Sequence, residues 1–194
     1  MVKTVTGLPN EFKNRVHITI NDREFEVVAH NVILLLFAFV SLEDTSLSSV
    51  PDIAASFLHI WYSAFLTTNL LSSLKAKVQT LIGAICAQLA TKPPDTLLGK
   101  TWTFLEGSTL RLVLRQKEWL RLHQFLDVPE GLNLEKARNL RAATVLAPER
   151  LDYRERWYYK DATPSMRLAK QRFREDGLLL PFGHPRTGFD VPNP

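Results

Sequence analysis

Asp22 ends the segment Arg15–Asn21, RVHITIN, and stands just before a long apolar run. In doubly wound nucleotide-binding folds an acidic residue at the end of the second strand grips a ribose hydroxyl, and a glycine-rich loop lies about 20 residues earlier. Counting back from Asp22 by that spacing reaches Met1 or beyond, so the phosphate-cradling loop is expected outside this chain. Asp22 can instead be a turn residue and helix N-cap, since its short side-chain oxygen accepts from free first-turn N–H groups. Both readings stay open here. The histidines, His17, His30, His59, His123 and His184, show neither HxxxH nor HExxH spacing, the spacings that bring two imidazoles to one metal. His59 lies among aromatics in FLHIWYSAF and reads as a core residue. Cys86 is the single cysteine; it allows no internal disulfide and no cysteine-based zinc centre, and its apolar surroundings suggest a buried, inert thiol. There is no GxSxG elbow and no kinase-type set. Gly99-Lys100-Thr101 ends like a P-loop, but Pro94 occupies the place of the required first glycine.

A second group of residues points to binding rather than catalysis. The stretch 149–176 reads ERLDYRERWYYKDATPSMRLAKQRFRED and mixes both charge signs with Tyr153, Trp157, Tyr158, Tyr159 and Phe173. At helical spacing Met166, Ala169 and Phe173 share one face, with Arg167, Lys170 and Arg174 in a stripe beside it. Such a helix can be a solvated amphipathic surface. It can also be a contact surface, because Arg, Tyr and Trp are enriched at binding hot spots; the candidate partner-binding residues are Tyr153, Arg154, Trp157, Tyr158, Arg167, Lys170 and Arg174. Basic residues among aromatics also suit RNA, but Glu149, Asp152, Glu155, Asp161, Glu175 and Asp176 would repel phosphate.

The elements that must position these groups can be read from periodicity. Val16, Ile18 and Ile20 alternate with polar residues and are β-branched, which predicts a strand over 15–21. From Phe25 to Val40 the residues are apolar nearly all round, as in a helix covered on most sides. After a serine-rich loop at 42–51, two core helices are expected at roughly 52–66 and 70–90, stopped by Lys92-Pro93-Pro94-Asp95. A short strand is expected at 109–114, and helices at 116–125 and 134–145. The helix 164–176 is the best signalled, with Thr163 as N-cap, Pro164 at its first position and Gly177 just past its end.

The totals bound the rest. The chain has 194 residues, 45% of them hydrophobic and 23% charged, ordinary proportions for a folded domain. A net charge of +4 spread over a domain is a weak nucleic-acid signal. The N-terminus MVKTVTGLPNEFK has no apolar core of the secretory kind. The most apolar run, Val32–Val40, is short of the roughly 20 residues a membrane crossing needs. A soluble, cytoplasmic protein without membrane contact is therefore expected.

Four strings together carry a resemblance: VKTVTGLP at 2–9, ITINDREFEVVAHNVILLL at 18–36, LHIWYSAFL at 58–66 and GLLLPFGHPRTGFDVPNP at 177–194. They resemble a fungal domain family of unknown function often found with MYND-type zinc fingers and related to the N-terminal domain of dynein axonemal assembly factor 3. In that family the part matching Val2–Pro9 follows a strand and a Gly-Asp loop, an arrangement like a degenerate S-adenosylmethionine methyltransferase site. By that resemblance Asn21 and Asp22 match the acidic strand end that holds the cofactor ribose, and the chain looks truncated at both ends.

The expected fold is α/β, a partial Rossmann-like, methyltransferase-like sheet with a large helical section. It forms a single domain fragment over 1–194, with a strand and core helices in 1–95 and a charged, aromatic-rich part in 96–194. The leading functional reading is a non-catalytic protein-interaction or assembly-factor-like domain that needs no cofactor or metal and meets a protein partner through 149–176. The alternatives are a degenerate cofactor-binding domain, taking S-adenosylmethionine in an N-terminally complete form, and RNA binding.

Overall fold

The computed structural model describes residues 5–9, 11–44 and 49–194. The apolar run after Asp22 folds as helix α1, Phe25–Glu43. Its buried positions, Ala29, Val32, Ile33, Leu34, Leu36, Phe37 and Ser41, spread around the helix, as expected of one packed against several neighbours. Asp22 does not cap α1 itself. Its Oδ1 accepts from the Glu24 backbone N–H at 2.9 Å, making a tight turn just ahead of the helix, and Glu24 takes the N-cap position. Helix α2, Val50–Tyr62, starts with a capping box in which Ser49 and Asp52 satisfy each other's backbone N–H groups.

The two-residue strand β1, Phe65–Leu66, follows. Helix α3, Thr68–Leu74, runs through a π-helical turn at Lys75–Gln79 into α4, Thr80–Leu89. By length and composition alone, α1 and the continuous Thr68–Leu89 helix could each cross a membrane. In this fold Ala29, Leu36, Val78 and Ile82 from these two helices are wholly buried in one apolar core. The sequence reading counted only the run to Val40 and so understated the length of α1.

An antiparallel hairpin comes next, β2 at Leu97–Thr103 and β3 at Thr109–Arg115, in register Gly99↔Val113 and Trp102↔Leu110. Helix α5, Gln116–Gln124, then carries Trp119 and Leu122 into the core. Helix α6, Leu134–Val145, is capped by Asn133 through the Lys136 N–H. After it come α7, Leu151–Tyr159, and α8, Pro164–Asp176. Strand β4, Val191–Pro192, returns to pair antiparallel with β1.

Two expectations are corrected. The segment 15–21 is not in a sheet: Val16, Ile18 and Ile20 are 45%, 44% and 38% exposed. Alternation gives a segment the side chains of a strand, but a strand forms only where another takes up its backbone groups and one face is buried. Among the described residues nothing pairs with this segment. The partial Rossmann-like sheet is likewise not formed among the described residues. The fold is mixed α/β, and among the described residues its strands make two small two-stranded antiparallel sheets with no parallel pairing. Strand β2 went unread because LLGKTWT lacks clean alternation; Gly99-Lys100-Thr101 is part of it rather than of a phosphate loop.

Candidate functional site

The surface at 149–176 is a helical hairpin. Pro148–Arg150 forms a 3-10 turn that leads into α7. The chain then reverses through Asp161, whose φ of 48° is the left-handed geometry an aspartate tolerates better than most residues. Thr163 caps α8 through the Met166 N–H, Pro164 stands at its start, and Gly177 closes it in left-handed geometry at φ 80°.

Most of the predicted contact residues converge. The Lys170 ammonium and the Arg174 guanidinium lie 5.0 and 4.6 Å from the centre of the Trp157 ring, within the range where a cation gains from the ring's negative face. Lys170 also donates to the carbonyls of Trp157 and Lys160 at 3.1 and 3.3 Å, tying α8 to the end of α7. Arg154 donates to the Val145 carbonyl at 3.5 Å. Tyr158 packs beside Trp157, with ring centres 5.8 Å apart. Burial pushes the Tyr158 phenol up, while the charges of Arg154 and Arg174 pull it the other way. Arg167 sits over the Tyr159 ring at 5.4 Å and donates to the Ala162 carbonyl.

Tyr153 and Tyr159 project outward, 70% and 62% exposed. Among the described residues Arg154, Arg167, Lys170 and Arg174 form no ion pair. The Arg174 Nε is buried with no hydrogen-bond partner. The two carboxylates that follow Arg174 in sequence bond elsewhere, Glu175 with Gln171 and Asp176 with Arg186.

Residues that sequence reading did not single out hold this hairpin in place. Arg141, on α6, donates to the carbonyls of Phe173, Arg174 and Glu175 at 2.5, 2.6 and 3.3 Å. A guanidinium is thus placed on the negative end of α8, where free carbonyls accumulate. Asp176 accepts from Arg186, which also donates to the Leu178 carbonyl. The tail then runs back along α2. Ser63 Oγ accepts from the Leu179 N–H, Asn193 Nδ2 donates to the carbonyls of Ile60 and Ser63, and Asp190 takes the Thr68 N–H and hydroxyl. These partners are more than 100 residues apart in sequence, so no local pattern announces them.

The remaining candidates lie apart. Asn21 and Asp22 are exposed, and no described residue converges on them besides the Glu24 backbone. His59 Nδ1 lies 3.0 Å from Ser63 Oγ and its ring tilts against Phe189. Burial lowers the His59 pKa, with the nearby His184 acting in the same direction. The Cys86 thiol donates to the Trp119 carbonyl, and burial raises its pKa. Among the described residues no group of three or more His, Cys, Asp or Glu side chains could hold a metal ion.

Residues 1–66 match a domain of unknown function (DUF4470). No curated protein and no solved structure matches the chain. The DUF4470 match takes in α1, α2 and β1 and ends at Leu66, the residue of β1 that pairs with Val191. The C-terminal tail therefore packs against the end of the DUF4470 stretch, and two of the strings that carried the sequence resemblance, 58–66 and 177–194, lie side by side.

Proposed function

We propose that this protein is a non-catalytic interaction module of the cytoplasm, assembly-factor-like in kind, that holds an acidic segment of a protein partner on the 149–176 hairpin. The observation that carries the reading is the set Arg154, Lys170 and Arg174 around Trp157 and Tyr158. Lys170 and Arg174 lie over the Trp157 ring and Arg154 acts on Tyr158, and among the described residues none of the three forms an ion pair. Aromatic anchors supply contact area at low entropic cost, and unpaired cations steer an acidic partner and fix its register. The outward-facing Tyr153 and Tyr159 extend the same surface.

The test is fluorescence anisotropy with a labelled ten-residue peptide rich in glutamate and containing one aromatic, beside a neutral peptide of the same length. The acidic peptide is expected to bind with an affinity that falls as salt rises, and the combined Arg154→Ala, Lys170→Ala and Arg174→Ala variant to bind at least about tenfold more weakly. Equal binding by the variant overturns the reading. Stronger binding of oligouridine than of the peptide moves it to RNA. Saturable S-adenosylmethionine binding that is lost in Asp22→Ala moves it to a cofactor-binding domain.

A further inference from the structure

A partly open cavity of about 140 Å³ lies where α1, α2, α3, the end of α5 and the C-terminal residues meet. Its wall is mostly apolar, built from Ile33, Ile60, Leu74, Phe125 and Leu126. His30 of α1 lines it, and the His30 Nε2 is buried without a hydrogen-bond partner. An unpaired buried polar atom destabilises the empty chain, so native folds nearly always satisfy such groups.

Two other polar side chains at the wall, Glu26 and Asn193, make contacts of their own. Glu26 pairs with Arg121, whose guanidinium lies 4.8 Å from the centre of the Phe25 ring and 6.0 Å from that of Phe125. The Asn193 amide donates to the carbonyls of Ile60 and Ser63. A charged ligand would lose its hydration against five apolar side chains without a free counter-ion. The volume is close to that of the roughly 150 Å³ apolar cavity that takes up a benzene-sized molecule.

We propose that this cavity is a binding site for a small, neutral, hydroxylated ring compound of phenol's size, with its ring against Ile33, Ile60 and Leu74 and its hydroxyl on His30 Nε2. A hydroxyl both donates and accepts, so it satisfies the imidazole in either tautomer. The site shares no residue with the 149–176 hairpin and stands whether or not that surface binds a partner.

The experiment titrates the full chain with phenol and, in parallel, with benzene, following the side-chain nitrogen resonances of the histidines and the thermal midpoint. Saturable phenol binding is expected to move the His30 Nε2 resonance and raise the midpoint. Benzene, which lacks the hydroxyl, should bind about tenfold more weakly, the worth of one hydrogen bond. In His30→Leu, phenol should fall to the affinity of benzene. The proposal is overturned if phenol fails to saturate, if the His30 resonance stays still while another moves, or if benzene equals phenol. The phenol-to-benzene ratio on the unmodified chain decides the matter even where His30→Leu does not fold.

Discussion

The two halves of this molecule are held together in different ways. From α1 to the end of α5, stability comes from burial. Trp119, Leu36, Leu66, Val78, Ile82 and Leu122 are shut away from water in one contiguous apolar cluster. From α6 to α8 no residue of any helix is buried. That half is secured by cations on backbone carbonyls and rings, by the Asp176–Arg186 pair, and by a small second cluster of Phe65, Leu178 and Leu180. Apolar burial is tied to surface area and has no charge for salt to screen, whereas links between charged groups weaken with salt and with the loss of any one partner. The C-terminal half should therefore open before the helical core does.

The largest effect is expected in the core. Trp119 is fully buried, stands edge-on to Trp102 at 6.1 Å and donates through its indole N–H to the Leu98 carbonyl at 3.2 Å. Trp119→Ala should lower the unfolding free energy by about 3–5 kcal/mol, read from urea denaturation. A loss under about 1 kcal/mol would mean that the hairpin and α5 do not form one core with α1.

The next effect tests the clamp on α8. Arg141→Met keeps the apolar stem and removes the donor that three carbonyls share, at an expected cost of about 2 kcal/mol. Hydrogen exchange should quicken across 164–194 and leave α1 and α4 unchanged. Gly177→Ala should act on the same element from the other side, since an added Cβ would lie 2.6 Å from the Arg141 Nε and 2.7 Å from the Ala64 Cβ, at a residue whose φ is +80°. If either variant speeds exchange equally in both halves, the two are one cooperative unit and the contrast fails.

The finest test is pH. Burial lowers the pKa of both His30, in the core half, and His59, under the tail. A base whose folded pKa lies below its unfolded value takes up protons more readily once unfolded, so the stability it supports rises with pH. That contribution is complete above the unfolded value of 6.5 and is lost as pH falls from there through the folded value. His59 abuts Ser63, which holds the Leu179 N–H. The protection factor of the Leu179 amide, the exchange rate divided into its base-catalysed intrinsic rate, should therefore be lower at pH 5.5 than at 7.5, and His59→Gln should flatten that difference. Asp95 and Asp127, whose pKa values are lowered by lysine partners, act in the same direction but only as pH falls below their usual 3.8.

Much of the helical layout was legible in the sequence, because its signals are local. Thr163, Pro164 and Gly177 fixed α8 at both ends, and the observed helix runs from Pro164 to Asp176. The helix expected at 134–145 is observed as α6, Leu134–Val145. The strand expected at 15–21 did not form because a strand is a property of two segments, and alternation describes only one. The converse failure is β2, which pairs with β3 over its whole length although its own sequence lacks the pattern.

The candidate site divides along the same line. Its residue types, aromatics beside a basic stripe, could be listed from the sequence, and helical spacing placed Arg167, Lys170 and Arg174 together. That Lys170 and Arg174 lie over the one ring of Trp157 required α7 to fold back through Asp161. Arg141 and the His30 cavity left no trace in the sequence, because each depends on side chains brought together from distant segments. The sequence by itself determined most of the helical segments, both ends of α8 and which stretches are apolar enough to be core, since capping and hydrophobic period act within a few residues. Only the tertiary structure decided which strands pair, which cations stay without a carboxylate and which buried nitrogen is left unpaired, because those outcomes depend on what the rest of the chain brings alongside.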